Sequence, residues 1–270
     1  MKYQSIVLLL ALLPLSATPS AFEPLFDAGY VFYGFSAPKA VHSADLNTDG
    51  RDDLVIAYSE IDSISVLLTS DGQLFQPLVN YATGGVPRSP KSADFDGDGD
   101  EDVVVTRGYP DNTVLIFMNN GDGTLQAAVS YPAGSVVGVV FPADLDGDND
   151  YDLAVTSETW EYSDDQVAIL LNNGDGTFQA PVNYATTGDP TAITAADLDG
   201  DQDIDLAVTK EWDGDVSILL NNGDATFQFL TSYPVGDRLR SIVAADFDGD
   251  EDNDLAVANL APQTVSILVN

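Results

Sequence analysis

Cysteine is absent from the 270 residues. That excludes disulfides, thiolate metal centres and a lipid anchor built on a cysteine behind an export signal, although it names no compartment. Basic residues are scarce: 9 Lys and Arg stand against 44 Asp and Glu, for a formal charge of -35. A chain so acidic is repelled by phosphate backbones, so nucleic acid is not an expected partner. There is a single histidine, His42, and no nucleophile elbow, phosphate loop or zinc motif. Sustained helical periodicity is missing. The only long apolar run, Ile6 to Leu13, is too short to span a bilayer. It follows Lys2 and precedes the small residues Ala17, Thr18, Ser20 and Ala21, so residues 1–21 read as a cleaved export signal and residues 22–270 as the mature domain. The expectation is a secreted, periplasmic or cell-surface protein, monomeric and without a membrane span.

What is abundant is aspartate, and it is patterned. Asp94-Phe95-Asp96-Gly97-Asp98-Gly99-Asp100-Glu101-Asp102 carries carboxylates at offsets 0, 2, 4 and 8 and glycine at offset 5. Alternate side chains of a tight loop converge on one point, and glycine supplies the positive φ that turns the chain around it. Such a cage of hard oxygens suits calcium better than magnesium, which keeps its waters. The loop recurs four more times. The other sets are Asp45, Asn47, Asp49 and Asp53; Asp144, Asp146, Asp148 and Asp152; Asp197, Asp199, Asp201 and Asp205; and Asp246, Asp248, Asp250 and Asp254. Up to five calcium ions are expected. The offset-5 glycine is replaced by Asn149, Gln202 and Glu251 in the last three loops, and Gln and Glu tolerate a left-handed conformation less well.

The loops start 49, 50, 53 and 49 residues apart, which is the mark of a repeat architecture. Each period holds four short apolar runs bounded by Gly, Asn and Asp, which read as strands A to D. The acidic loop joins A to B, and segments such as Asn172-Asn173-Gly174-Asp175-Gly176-Thr177 join C to D as hairpin turns. Five four-stranded repeats predict an all-β propeller. The last repeat stops at its strand C, Val265 to Val269. Ala21-Phe22-Glu23-Pro24-Leu25, running to Tyr30, matches the start of a strand D at Thr177-Phe178-Gln179-Ala180-Pro181. The N-terminal strand is therefore expected to close the ring on the C-terminal blade.

At these residues the sequence resembles the FG-GAP or VCBS repeat family, which includes the integrin α-subunit propeller. The pattern D-x-[DN]-x-D-G-x-x-D before a strand such as Asp53-Leu54-Val55-Ile56-Ala57 carries the resemblance, as does Asn172 to Phe178. It implies calcium in the A–B loops, held by the side chains at offsets 0, 2, 4 and 8 and a backbone carbonyl at offset 6. Family propellers usually have seven blades, and here there are five repeats.

No catalytic residue is assigned. His42 occupies a position filled by Lys91, Phe141, Thr194 and Val243 in the other repeats, which suits a surface residue better than a catalyst. Lys39, Arg88, Lys91, Arg107, Lys210, Arg238 and Arg240 map to the B–C and D–A connections or the adjoining strand ends, with Trp160 and Trp212 nearby. Basic residues avoid cation cages for a bland electrostatic reason. The same clustering also suits a ligand face for an extracellular protein or an acidic glycan, aromatic rings lying beside cations. The expected function is a non-enzymatic, adhesion-like interaction module. A polysaccharide lyase or hydrolase on the same scaffold is the alternative.

Overall fold

The computed structural model describes residues 37–270 apart from 71–72, 109, 159–164, 187 and 262. The expected signal, the proposed closing strand Phe22–Tyr30 and Trp160 lie outside the described residues. Among those described there is no helix, and hence none long and apolar enough to cross a membrane.

The chain forms a series of antiparallel sheets, each a meander. The first is β1 (Pro38–Ala44), β2 (Asp53–Tyr58), β3 (Ser63–Leu67) and β6 (Val79–Ala82), with a small hairpin of β4 (Thr69–Ser70) and β5 (Gln73–Phe75) set into its third connection. The second is β7 (Pro87–Ala93), β8 (Asp102–Arg107), β9 (Thr113–Phe117) and β10 (Val129–Pro132). The third is β11 (Val136–Ala143), β12 (Asp152–Glu158), β13 (Gln166–Leu170) and β14 (Val182–Ala185). The fourth is β15 (Pro190–Ala196), β16 (Asp205–Lys210), β17 (Asp215–Asn221) and β18 (Phe227–Pro234). The fifth has three strands, β19 (Asp237–Ala245), β20 (Asp254–Ala261) and β21 (Thr264–Leu268). These are the four runs per period expected from the sequence, with strand D of the fifth repeat not among the described residues.

Strands B and C are apolar on both faces because both faces are covered. Alternate residues point to the preceding and the following sheet. Val104, Val114 and Ile116 of the second sheet meet Val140, Leu153 and Val155 of the third. Ala154, Val167 and Ile169, on the opposite face of the third, meet Ile193, Leu206 and Val208 of the fourth. The core is thus a row of apolar layers between successive blades, not a single centre.

A second contact plugs each layer. The C–D turn of one blade reaches back onto the blade before it and delivers an apolar side chain: Leu125 onto the first blade, Phe178 onto the second, Phe227 onto the third. Phe178 lies 5.5 Å from both Phe95 and Tyr131, edge to face, and Phe227 lies 5.3 Å from Tyr184. The asparagine opening each turn latches the same pair of blades. Nδ2 of Asn119, Asn172 and Asn221 donates to the carbonyl oxygens of Leu46, Phe95 and Leu145 at 2.7, 2.8 and 2.7 Å.

The inner strands β1, β7, β11, β15 and β19 pack in series, each on the next, but β19 makes no comparable contact with β1. The ring closure expected from the chain ends is therefore not seen. The physical reason lies in the repeat itself. Each apolar face is covered by the blade that follows, and the fifth blade has no follower among the described residues. Its outward face carries Phe247 at 48% exposure, whereas the equivalent Leu46, Phe95 and Leu145 are at 0–1%.

Asn172 should contribute more to stability than its size suggests. Asn172→Ala removes buried bonds to Phe95 and Tyr151 and is expected to cost about 2–4 kcal/mol in chemical denaturation. The surface Asn173→Ala at the next position should cost under about 1 kcal/mol.

Candidate metal centres and the opposite rim

Loops two to five share one hydrogen-bond plan. The offset-0 aspartate accepts from the amides at offsets 3 and 5, as Asp94 does from Gly97 at 2.8 Å and Gly99 at 2.9 Å. In the first loop Asp45 accepts instead from the amides at offsets 4 and 5. The offset-2 and offset-4 aspartates each accept from the amide two residues on, as Asp96 does from Asp98 and Asp98 from Asp100. The outer carboxylates are in this way pre-aimed at the loop centre. At offset 5 the backbone is left-handed throughout: φ is +82° at Gly50, +94° at Gly99, +72° at Asn149, +78° at Gln202 and +78° at Glu251. Gln202 and Glu251 thus hold a glycine conformation at some cost in strain.

The offset-8 aspartates behave differently from the other three. Asp53, Asp102, Asp152, Asp205 and Asp254 are all at most 1% exposed. One oxygen of each accepts the amide at offset 1 of its own loop, at 2.9–3.1 Å. The other accepts the amide that opens the C–D turn, from Thr69, Asn119, Asn172, Asn221 or Asn270, at 2.7–2.8 Å. The sequence marks these residues as ligands. The structure shows, in addition, that they tie loop to turn. Their number in each repeat is visible in the sequence, but the turn they bind lies some 16–20 residues further on.

Burial pushes the Asp102 carboxyl up to about 6 and Asp152 up to about 7, against the partly compensating backbone amides, with the neighbouring loop carboxylates raising both further. Asp205 is raised for the same reasons. Each such carboxyl holds its proton more tightly folded than unfolded. The stability it contributes is complete below the ordinary value of 3.8 and is lost as pH rises through 6 to 7. Asp96, Asp146, Asp199 and Asp248 are also raised, by desolvation first and by facing carboxylates second. The facing carboxylates of these loops repel one another, and a cation would relieve that repulsion.

Asp94, Asp96 and Asp102 bring ligand oxygens within 4.8 Å of one another, and so do Asp144, Asp146 and Asp152, Asp197, Asp199 and Asp205, and Asp246, Asp248 and Asp250. These donor sets fit a hard divalent cation. The first loop departs from the others. Arg51 pairs with Asp49 at 2.8 Å and holds its carboxyl below the usual range. A guanidinium thereby occupies one of the expected ligands in the loop that already carries Asn47.

The basic residues divide into three groups. Lys39 and Arg88 are exposed. Lys210, at 2% exposure, bonds Ser232 at 3.1 Å and pairs with Asp215 at 3.5 Å within its own blade, and Arg107 donates to Thr113 of its own blade at 3.2 Å and to Thr83 O, in the connection from the first blade, at 2.9 Å. Arg238 stacks its guanidinium 4.9 Å over the ring of Trp212, and Arg240 donates to Glu211 at 2.9 Å, so both clamp the fifth blade onto the fourth. Trp212 is still 54% exposed. Lys91 needs a correction. Its register partner is Val104, two residues from the Ala93–Asp102 pair that opens the acidic loop. It lies 5.8 Å from the Phe141 ring and lines a cleft of about 400 Å³ with Asp94, Glu101 and Tyr151, on the loop side and not the opposite rim. His42 bonds Ser92 at 2.8 Å and joins the first two blades, and burial lowers its pKa.

Comparison with known proteins bears on the fold. No curated protein matches the chain. Among solved structures, a lectin of Agrocybe aegerita described as recognising non-reducing terminal N-acetylglucosamine superposes with a TM-score of 0.59 at 24% identity, over 83% of this chain and 61% of the lectin. The chain therefore spans about three fifths of that protein. BBS1N, solved in complex with ARL6DN, superposes with a TM-score of 0.52 at 17% identity, over 88% of this chain and 84% of that one. The biofilm matrix protein Bap1 of V. cholerae gives 0.49 at 18% identity, over 86% of this chain and 38% of that one. Four overlapping stretches, 45–105, 94–155, 144–208 and 197–257, match the FG-GAP-like repeat, each opening on the first aspartate of a loop. The chain belongs to the FG-GAP-like repeat family.

Proposed function

We propose that this protein is an exported, calcium-stabilised propeller-type module that binds a glycan through the rim opposite its acidic loops. The observation that carries the ligand reading is the Trp212 platform. One face of the indole is fixed by the Arg238 guanidinium, more than half of the residue remains open, and Arg240 and Glu211 stand beside it as polar partners. A half-covered aromatic ring with a charged rim suits the apolar face of a sugar, its hydroxyls reaching the polar groups. The lectin that shares the fold is consistent with this ligand class. Exposed Arg88, at the start of β7, carries positive charge at the corresponding end of the second blade, which favours an acidic glycan there.

Calcium is proposed for the acidic loops because the donors are all oxygen and the loop carboxyls are raised by burial and then by the facing carboxylates, both of which a cation would offset. The reading includes the fourth strand for the fifth blade, supplied by Phe22–Tyr30 on β21. It assigns no catalytic step. The convergent carboxylates belong to the loops, and His42 is bound to Ser92.

Melting temperature should rise with calcium and fall with chelator, since an ion that binds only the folded state stabilises it by mass action. An unchanged melting curve across that range would remove calcium from the account.

The loop aspartates should separate into two classes. Asp148→Ala should lower calcium occupancy by about one ion and leave the chelated protein's stability nearly unchanged. Asp152→Ala strands two amides, those of Leu145 and Asn172, and should cost about 2–4 kcal/mol even in chelator. Equal behaviour of the two variants in chelator would contradict the tie.

On a glycan array, Trp212→Ala should weaken binding about tenfold, the worth of one well-placed ring contact. The calcium-dependent melting shift should persist. Retention of no glycan, or indifference to Trp212→Ala, would overturn the ligand reading.

A further inference from the structure

The connection that leads into β15 lies against the turn that carries Trp212. Gly188 comes so close to that turn, on a left-handed backbone with φ of +85°, that a Cβ there would meet the carboxylate of Asp213 and the stem of Lys210. At the next residue the carbonyl of Asp189 accepts the amide of Glu211 at 3.0 Å. The Asp189 side chain reaches one residue further, and its carboxylate accepts the indole N–H of Trp212. From the fifth blade the Arg238 guanidinium covers one face of the same ring at 4.9 Å. The indole is thus held at its edge from its own blade and on one face from the next, while the residue stays 54% exposed.

The backbone part of this arrangement belongs to the repeat, and the side-chain part does not. Ala37 and Val86 hold the position of Asp189 in the first two blades, and their carbonyls accept the amides of Ser59 and Gly108 at 3.1 and 3.3 Å in the same way. Neither side chain carries an acceptor. The blade therefore closes without the bond to Trp212. A carboxylate is also a costly group to place here. Burial first, and then the carboxylates of Asp165, Glu211 and Asp213, raise the pKa of Asp189, and the indole bond opposes them.

We infer that Asp189 is the positioning residue of the Trp212 platform, fixing the edge of the indole so that its open face is presented in one orientation. This rests on the glycan reading of Trp212 and names the residue that sets its ring. Arg238 does not do so alone. A guanidinium stacked on a ring leaves it free to slide and turn in its own plane, whereas a hydrogen bond to the edge is directional and stops both. The indole has one donor, so with that N–H engaged the ring offers a ligand its open face and nothing else. A tryptophan on an exposed turn would otherwise sample several rotamers, and a sugar stacking on it would have to freeze them on binding. A ring already held by Asp189 and Arg238 has lost that freedom in the folded chain.

Trp160 and Trp212 are the only tryptophans, so in a Trp160→Phe parent the fluorescence reports the Trp212 ring alone. In that parent Asp189→Ala should lower the emission anisotropy, raise quenching by acrylamide and weaken binding on a glycan array about fivefold, the worth of one hydrogen bond. The melting temperature and its calcium shift should match the parent's, because the bond from Glu211 to the Asp189 carbonyl is kept. Asp189→Asn leaves an acceptor oxygen in place and should restore anisotropy, quenching and binding. Unchanged anisotropy and quenching in Asp189→Ala would overturn the inference, and so would an Asp189→Asn variant that behaves like Asp189→Ala. Weakened binding with the ring unmoved would make Asp189 a contact of the ligand itself and overturn it as well. If the parent retains no glycan, the glycan reading of the platform fails, and the fluorescence of the two variants still decides whether Asp189 sets the ring.

Discussion

The interaction on which the rest depends is the buried carboxylate at the end of each acidic loop. Asp102 shows the logic: one oxygen binds the amide of Phe95 in its own loop and the other that of Asn119 at the next turn. Asn119 in turn reaches the carbonyl of Leu46 in the blade before. A single side chain thus couples the loop, the hairpin turn and the blade-to-blade latch. The outer aspartates can vary in their partners without disturbing this, as Asp49 does with Arg51. A metal bound in the loop would bear directly on how adjacent blades are held, because the same carboxylate serves both.

Placing an ionised group at this position is costly, and the raised values of Asp102 and Asp152 express that cost. Two charge-assisted amide bonds offset part of it and a divalent cation would offset more. The strain at Gln202 and Glu251 belongs to the same account. Both residues hold a left-handed backbone with φ of +78°, so the loop geometry is imposed by the carboxylates around them and not by local preference.

The two ends of each blade have separate tasks. At the loop end, charges converge and are held by the backbone. At the opposite rim, cations are spent on structure: Lys210 inside its blade, Arg238 and Arg240 across the last pair. What remains open there is an aromatic surface backed by a cation, and the proposed glycan site is built from that remainder.

Much of this was legible in the sequence. A period near fifty residues, four apolar runs per period and the D-x-D-x-D spacing suffice for repeat, strand order and loop identity, because all three depend on residues close together in the chain. The left-handed offset-5 position could be inferred even where glycine is absent, because the loop geometry demands it. Four features needed the tertiary structure. The dual bonding of Asp152 joins residues 20 apart, and the latch of Asn172 to Phe95 joins residues 77 apart. The side of the sheet on which Lys91 emerges depends on register and a bulge in β7. Whether the five blades meet depends on the angle at which each packs on the next, which is set by the summed fit of side chains across four apolar layers. No local pattern encodes that sum, which is why the periodicity determined the blades and only the packing decided that β19, among the described residues, packs on β15 and makes no comparable contact with β1.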